Sequence, residues 1–250
     1  MTCLAYDLAG PADAPVLVLG PSLGTTRAMW DPQHAWLCRR FRVLRYDLLG
    51  HGGSAVPSGP YTVDQLAGEV LSLLTGIEHF HYAGVSLGGM IGMELASAAP
   101  DRVDSLALLC TSAYLPPAQG WLDRARHVRE HGTASIADAY ATRWFTPAFA
   151  DSARYLAMLA ATPDEGYAAC CHAIAEMDLR PVLGGITAPT LVIAGLDDPA
   201  TPPEHGRQIA AAIPGARFVA VAGAAHLANV ERPAEVTALL AEHLEAARDR

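Results

Sequence analysis

Gly84-Val85-Ser86-Leu87-Gly88-Gly89 constrains this chain more than any other stretch. It follows the apolar run Phe80–Val85 and precedes a helical pattern over Leu87–Ala99 that Pro100 closes. A chain that leaves a strand, turns sharply at a serine and enters a helix at once has no room for side chains two residues to either side. Gly84 and Gly88 meet that demand. Such a turn lifts the Ser86 hydroxyl out at the C-terminal edge of a sheet. It also aims the new helix's N-terminus, with its unpaired amides, at the same place. The competing reading is a glycine-rich turn with an incidental serine. The strand-before, helix-after context favours the nucleophile.

The surrounding pattern supplies a sheet for that turn. Val16–Leu19, Phe41–Tyr46, Phe80–Val85, Val103–Cys110, Pro189–Ala194 and Arg217–Val221 are short apolar runs of the kind buried on both faces of a parallel sheet. Amphipathic stretches at 3–4 spacing, such as Thr62–Leu74, alternate with them, and Pro233–Arg250 reads as a closing helix with proline in its first turn. The expected fold is α/β, with a mostly parallel central sheet flanked by helices. The alternation breaks between Tyr114 and Val182, where Pro116-Pro117 opens an aromatic-rich helical stretch. That stretch is too long for one crossover. The expected organisation is therefore a core of residues 1–113 and 183–250 with a helical cap, 114–182, inserted before the strand that leads to Asp197 and Asp198. Ordinary crossover helices are the plainer alternative.

A serine nucleophile needs a base, and the base needs an orienting acid. Leu191–Gly195 leads into Leu196-Asp197-Asp198-Pro199, so two carboxylates compete for the acid. Of ten histidines, His226 combines a loop after a late strand with the chain order Ser, acid, His. His51, in the turn Gly50-His51-Gly52-Gly53, reads as structural or pocket-lining. A tetrahedral intermediate needs two backbone N–H donors. Leu87, just after the serine, offers one. The loop Gly20-Pro21-Ser22-Leu23-Gly24 offers the other at Leu23, since proline cannot donate. Phosphate-cradling glycine patterns are absent.

Composition narrows the partners. Charged residues are 17% of the chain and the formal net charge is −9, so nucleic acid and anionic membranes are poor candidates. The longest apolar runs fall far short of a membrane span. The first residues lack the charged and apolar regions of a secretory signal, and the five cysteines show no disulfide framework or zinc spacing, as expected of reduced thiols in a cytoplasmic protein. Metal and cofactor are expected to be none. A homo-oligomer is compatible with the sequence but not indicated by it.

With these pieces together, the chain resembles the α/β-hydrolase superfamily over its whole length. Within it, the chain is most similar to the 3-oxoadipate enol-lactone hydrolases of bacterial aromatic degradation. The stretches that carry this are Pro21–Thr26 with Met29-Trp30-Asp31-Pro32-Gln33, the elbow Gly84–Gly89, Arg143-Trp144-Phe145-Thr146, Cys171–Ile174 with Asp178-Leu179-Arg180, Asp198–Gly206 and His226–Asn229. In that fold the acid usually stands three residues after the strand's glycine, which selects Asp198 over Asp197. Leu49 replaces the arginine common after the second strand, and Pro21 replaces a common asparagine. The resemblance implies a small anionic lactone as substrate and a cap that supplies shape and charge. Trp144 is expected as an apolar wall of the pocket, or as packing between cap and core. Arg143 and Arg180, among six arginines from Arg124 to Arg180, are expected to meet the substrate carboxylate. A broad carboxylesterase or perhydrolase, and a non-catalytic ligand receptor, are the rival readings.

Overall fold

A computed structural model describes residues 3–248. Seven strands form one sheet: β1 (Tyr6–Ala9), β2 (Val16–Gly20), β3 (Arg42–Tyr46), β4 (Phe80–Val85), β5 (Val103–Leu109), β6 (Thr190–Gly195) and β7 (Arg217–Val221). Their order across the sheet is β1-β3-β2-β4-β5-β6-β7, antiparallel only at β1–β3. The parallel strands β2, β4 and β6 are buried throughout, which is why they read as unbroken apolar runs. The short, half-exposed β1 pairs its Tyr6–Ala9 with Tyr46–Val43 and gave no comparable signal.

Ten α-helices are described: α1 (Asp31–Leu37), α2 (Val63–Leu73), α3 (Leu87–Ala98), α4 (Ala118–His131), α5 (Ala137–Trp144), α6 (Ala153–Ala160), α7 (Asp164–Glu176), α8 (Pro203–Ala212), α9 (Ala228–Glu231) and α10 (Pro233–Arg248). The Thr62 hydroxyl caps α2 by accepting the Gln65 amide at 3.1 Å. Helices α4 to α7 all lie between β5 and β6 in the chain, where the alternation of the sequence breaks. Within this group α4 packs along α7 and α5 against α6. Among the described residues, no helix is long and apolar enough to cross a membrane.

Strand register places the functional loops. From β2 the chain crosses to β3 on one side, and the next strand, β4, pairs with β2 on the other, so the strand order reverses there and opens a crevice at the strands' carboxyl ends. Gly20 pairs with Gly84, Val85 with Leu109, Leu109 with Ile193 and Gly195 with Val221. The loops after β2, β4, β6 and β7 therefore leave the sheet along one edge.

Candidate active site

Ser86 sits at φ 55° and ψ −116°, in the left-handed region that a side chain rarely occupies. The surroundings hold it there. Its amide donates to the Leu109 carbonyl at 2.9 Å, and its carbonyl accepts the Thr111 hydroxyl at 2.7 Å. A Cβ on Gly84 would run into the Gly88 carbonyl, and one on Gly88 into the Gly20 and Pro21 carbonyls. The Gly88 amide donates to Pro21 at 3.1 Å, and the Tyr82 hydroxyl donates to the Gly88 carbonyl at 2.8 Å. The first turn of α3 is thus fastened to the loop after β2 and to the strand beneath.

Of the two candidate acids, Asp198 is buried and Asp197 exposed. Asp198 Oδ1 accepts the amides of Ala200 (2.7 Å) and Thr201 (3.0 Å), and its Oδ2 accepts the Thr201 hydroxyl at 2.7 Å. His226 Nδ1 lies 2.8 Å from the same Oδ2. A carboxylate only accepts, so Nδ1 carries a proton, and in the neutral ring the lone pair is on Nε2. Burial alone would raise the Asp198 carboxyl; the charge and hydrogen bond of His226, with the Thr201 hydroxyl and amide, outweigh it and hold it below the usual carboxylate value.

Ser86 and His226 line one cleft with about 430 Å³ of empty space. Leu23, Trp121, Tyr140 and Trp144 are among its other walls, so Trp144 is both buried and pocket-lining. The amides around Leu23 are occupied: Ser22 N–H points at Met29 Sδ (3.1 Å), Gly24 N–H at His51 Nε2 (3.0 Å) and Thr25 N–H at the Ser22 carbonyl (3.1 Å). The Leu23 amide has no acceptor among the described residues. Leu87 is fully buried and does not line the cleft; its amide opens α3, where no preceding turn offers a carbonyl.

Arginines separate into two groups. Arg143 lines the cleft, as does Arg124, which sequence reasoning passed over. Arg124 Nη1 donates to the Tyr140 hydroxyl at 2.6 Å, and that hydroxyl is 2.7 Å from the Tyr167 hydroxyl. The two guanidiniums flank the Tyr140 ring at 5.6 and 5.8 Å, and neither has a carboxylate in ion-pair range among the described residues. Arg180 is not brought to this cleft. It pairs with Asp178 at 2.6 Å, stacks over Tyr114 at 4.0 Å and lines a separate cleft beside α8.

Two further residues were missed. Thr201 has a faint signal, since Asp-Pro followed by two small residues suits a turn in which the aspartate accepts amides ahead of it. Glu231 has none. It joins the histidine loop to the segment after α5, accepting the Ala225 amide on one oxygen (2.5 Å) and the Thr146 amide and hydroxyl on the other (2.9 and 2.8 Å). The Leu227 amide adds a bond to the Trp144 carbonyl at 3.1 Å, so His226 is tied to this segment on both sides.

A family model for the alpha/beta hydrolase fold matches residues 15–233. The chain is 40% identical to 3-oxoadipate enol-lactonase 2 of Acinetobacter baylyi, over 92% of this chain and 88% of that protein. It is similar to the solved enol-lactonase of Burkholderia xenovorans, with 41% identity, a TM-score of 0.94 and coverage of 97% of this chain and 96% of that one. A thermophilic esterase from Thermogutta terrifontis, solved with malate bound, aligns with a TM-score of 0.89 at 29% identity, covering 98% of this chain and 93% of that one.

Proposed function

The chain belongs to the α/β-hydrolase fold family and groups there with the 3-oxoadipate enol-lactonases, and from this premise we propose that it opens the lactone ring of 3-oxoadipate enol-lactone by serine catalysis. The observation that carries the proposal is the buried Asp198–His226 pair, with His226 lining the same cleft as Ser86 and two guanidiniums that have no acidic partner among the described residues.

Ser86 attacks the lactone carbonyl while His226 Nε2 takes its proton. The amides of Leu23 and Leu87 stabilise the oxyanion, each donor being worth about 3–4 kcal/mol in sites of this kind. The ring C–O bond breaks, and the enolate leaves and ends as a ketone after protonation. Water activated by His226 then cleaves the acyl-enzyme. Arg124 and Arg143 meet the substrate carboxylate, Trp144 forms the apolar wall, and residues 114–182 act as the cap that presents all three. The chemistry calls on no metal or cofactor.

The test compares purified protein on 3-oxoadipate enol-lactone and on a neutral p-nitrophenyl ester. A preference for the lactone is expected. Ester turnover without lactone turnover would replace the reading with a general carboxylesterase; slow single-turnover behaviour on both would indicate a receptor.

A further inference from the structure

No step above uses the turn after β3, yet His51 in that turn is wired into the frame of the site. The ring is fully buried. Its Nε2 accepts the Gly24 amide at 3.0 Å, and its Nδ1 lies 3.2 Å from the Leu49 carbonyl. An amide only donates and a carbonyl only accepts. The two partners therefore leave one arrangement: a neutral imidazole, lone pair on Nε2 and proton on Nδ1. Burial supports the neutral form, pushing the ring down to about 4.

The bond to Gly24 matters because of what precedes it. The peptide that bears the Leu23 amide is held through its Ser22 carbonyl, which accepts the Thr25 amide at 3.1 Å and hydroxyl at 2.7 Å. The following peptide is held through the Gly24 amide by His51. With both planes held, the backbone angles of Leu23 are restrained, although the Leu23 amide itself has no partner among the described residues. Gly24 is the turning point, at φ 78°, and a Cβ there would meet Leu159 Cδ1 at 2.6 Å.

We propose that His51 is a positioning residue for the oxyanion site: by accepting the Gly24 amide and donating to Leu49 it aims the free Leu23 amide at the oxygen that becomes charged. This rests on the serine-hydrolase reading above. Preorganised donors act on the transition state and not on substrate binding, so the role has a kinetic signature that a merely structural histidine lacks.

The experiment compares His51→Phe, which keeps a ring but no acceptor, with His51→Gln, whose amide oxygen can accept from Gly24. Expected for Phe is a loss of about 10- to 100-fold in kcat with KM held within about twofold. Affinity for a boronic acid that adds to Ser86 should fall in parallel, affinity for the carboxylic acid product should not change, and Gln should recover part of kcat. In the wild-type protein, nitrogen NMR at neutral pH should find the His51 proton on Nδ1. Unchanged kcat in a folded Phe variant, equal losses in Phe and Gln, or a proton on Nε2 would each overturn the proposal. If the Phe variant does not fold, the Gln variant and the tautomer decide. A wild-type protein that cleaves neither substrate and binds no boronic acid defeats the hydrolase reading itself, and this proposal with it.

Discussion

His226 Nδ1 stands 2.8 Å from Asp198 Oδ2, and the Thr201 hydroxyl holds that same carboxylate oxygen at 2.7 Å. The acid is thus oriented from one side by the loop that follows it and presented to the imidazole on the other. This geometry makes the pair sensitive to acid in a definite direction. Because the folded-state Asp198 carboxyl lies below its ordinary value, the stability it contributes is complete above an unfolded value of about 4 and is lost as pH falls through the lower folded one. The wild-type melting temperature should fall with pH in that window, and Asp198→Asn should flatten this part of the curve. Asn also favours the wrong His226 tautomer, so kcat should drop by about 10⁴-fold. Thr201→Val, which removes only the hydroxyl, should cost less. A variant pair with wild-type acid sensitivity would dissociate the stability effect from this carboxylate.

Ser86→Ala should remove turnover by about 10⁴-fold or more while leaving the circular dichroism spectrum unchanged. Full activity in that variant would end the nucleophile assignment.

The elbow's packing predicts a different failure. Gly84→Ala sets a methyl against the Gly88 carbonyl, which belongs to backbone and cannot swing aside. Thermal or urea unfolding should show a loss of about 1–3 kcal/mol or more. An unaltered midpoint would mean that the turn is looser than its geometry implies.

The proposed reading of substrate charge falls to the two arginines that the structure brings to the cleft. Arg124→Gln and Arg143→Gln should each raise KM for the anionic lactone by about 10- to 100-fold while sparing a neutral ester, the size expected for a lost charged hydrogen bond. Arg180→Ala should leave both substrates unaffected, since Arg180 is paired with Asp178 away from the cleft. A lactone-specific defect in Arg180→Ala alone would reverse this division.

Salt distinguishes local from distant charge. The chain's net −9 repels an anion at long range, whereas in the proposed mode the two cleft guanidiniums act at contact. Added salt, with a Debye length of about 8 Å at ~0.15 M, should leave lactone KM nearly constant or lower it slightly. A steep rise would indicate positive steering from afar.

What the sequence by itself determined is what depends on the chain's own neighbours. The strand-to-helix turn around Ser86 was legible because Gly84 answers a steric demand within five residues, and the central strands because burial on both faces imposes continuous apolar runs. Ser86, Asp198 and His226 stand in chain order after β4, β6 and β7, so their meeting at one edge follows once the sheet is parallel. Side-chain direction across the helices between β5 and β6 is another matter. Nothing local distinguishes Arg124 from Arg180; only the packing of α4 against α7 turns one into the cleft, while Asp178 neutralises the other outside it. The choice between Asp197 and Asp198 needed family precedent in the sequence, but in the fold burial and the contact with His226 separate them directly. Glu231 was beyond reach for the same reason, as was the distant partner of His51, which the sequence reads only as structural or pocket-lining. Each acts by bonding backbone far away in sequence, and a hydrogen bond to a distant amide leaves no spacing or composition signal in the chain that makes it.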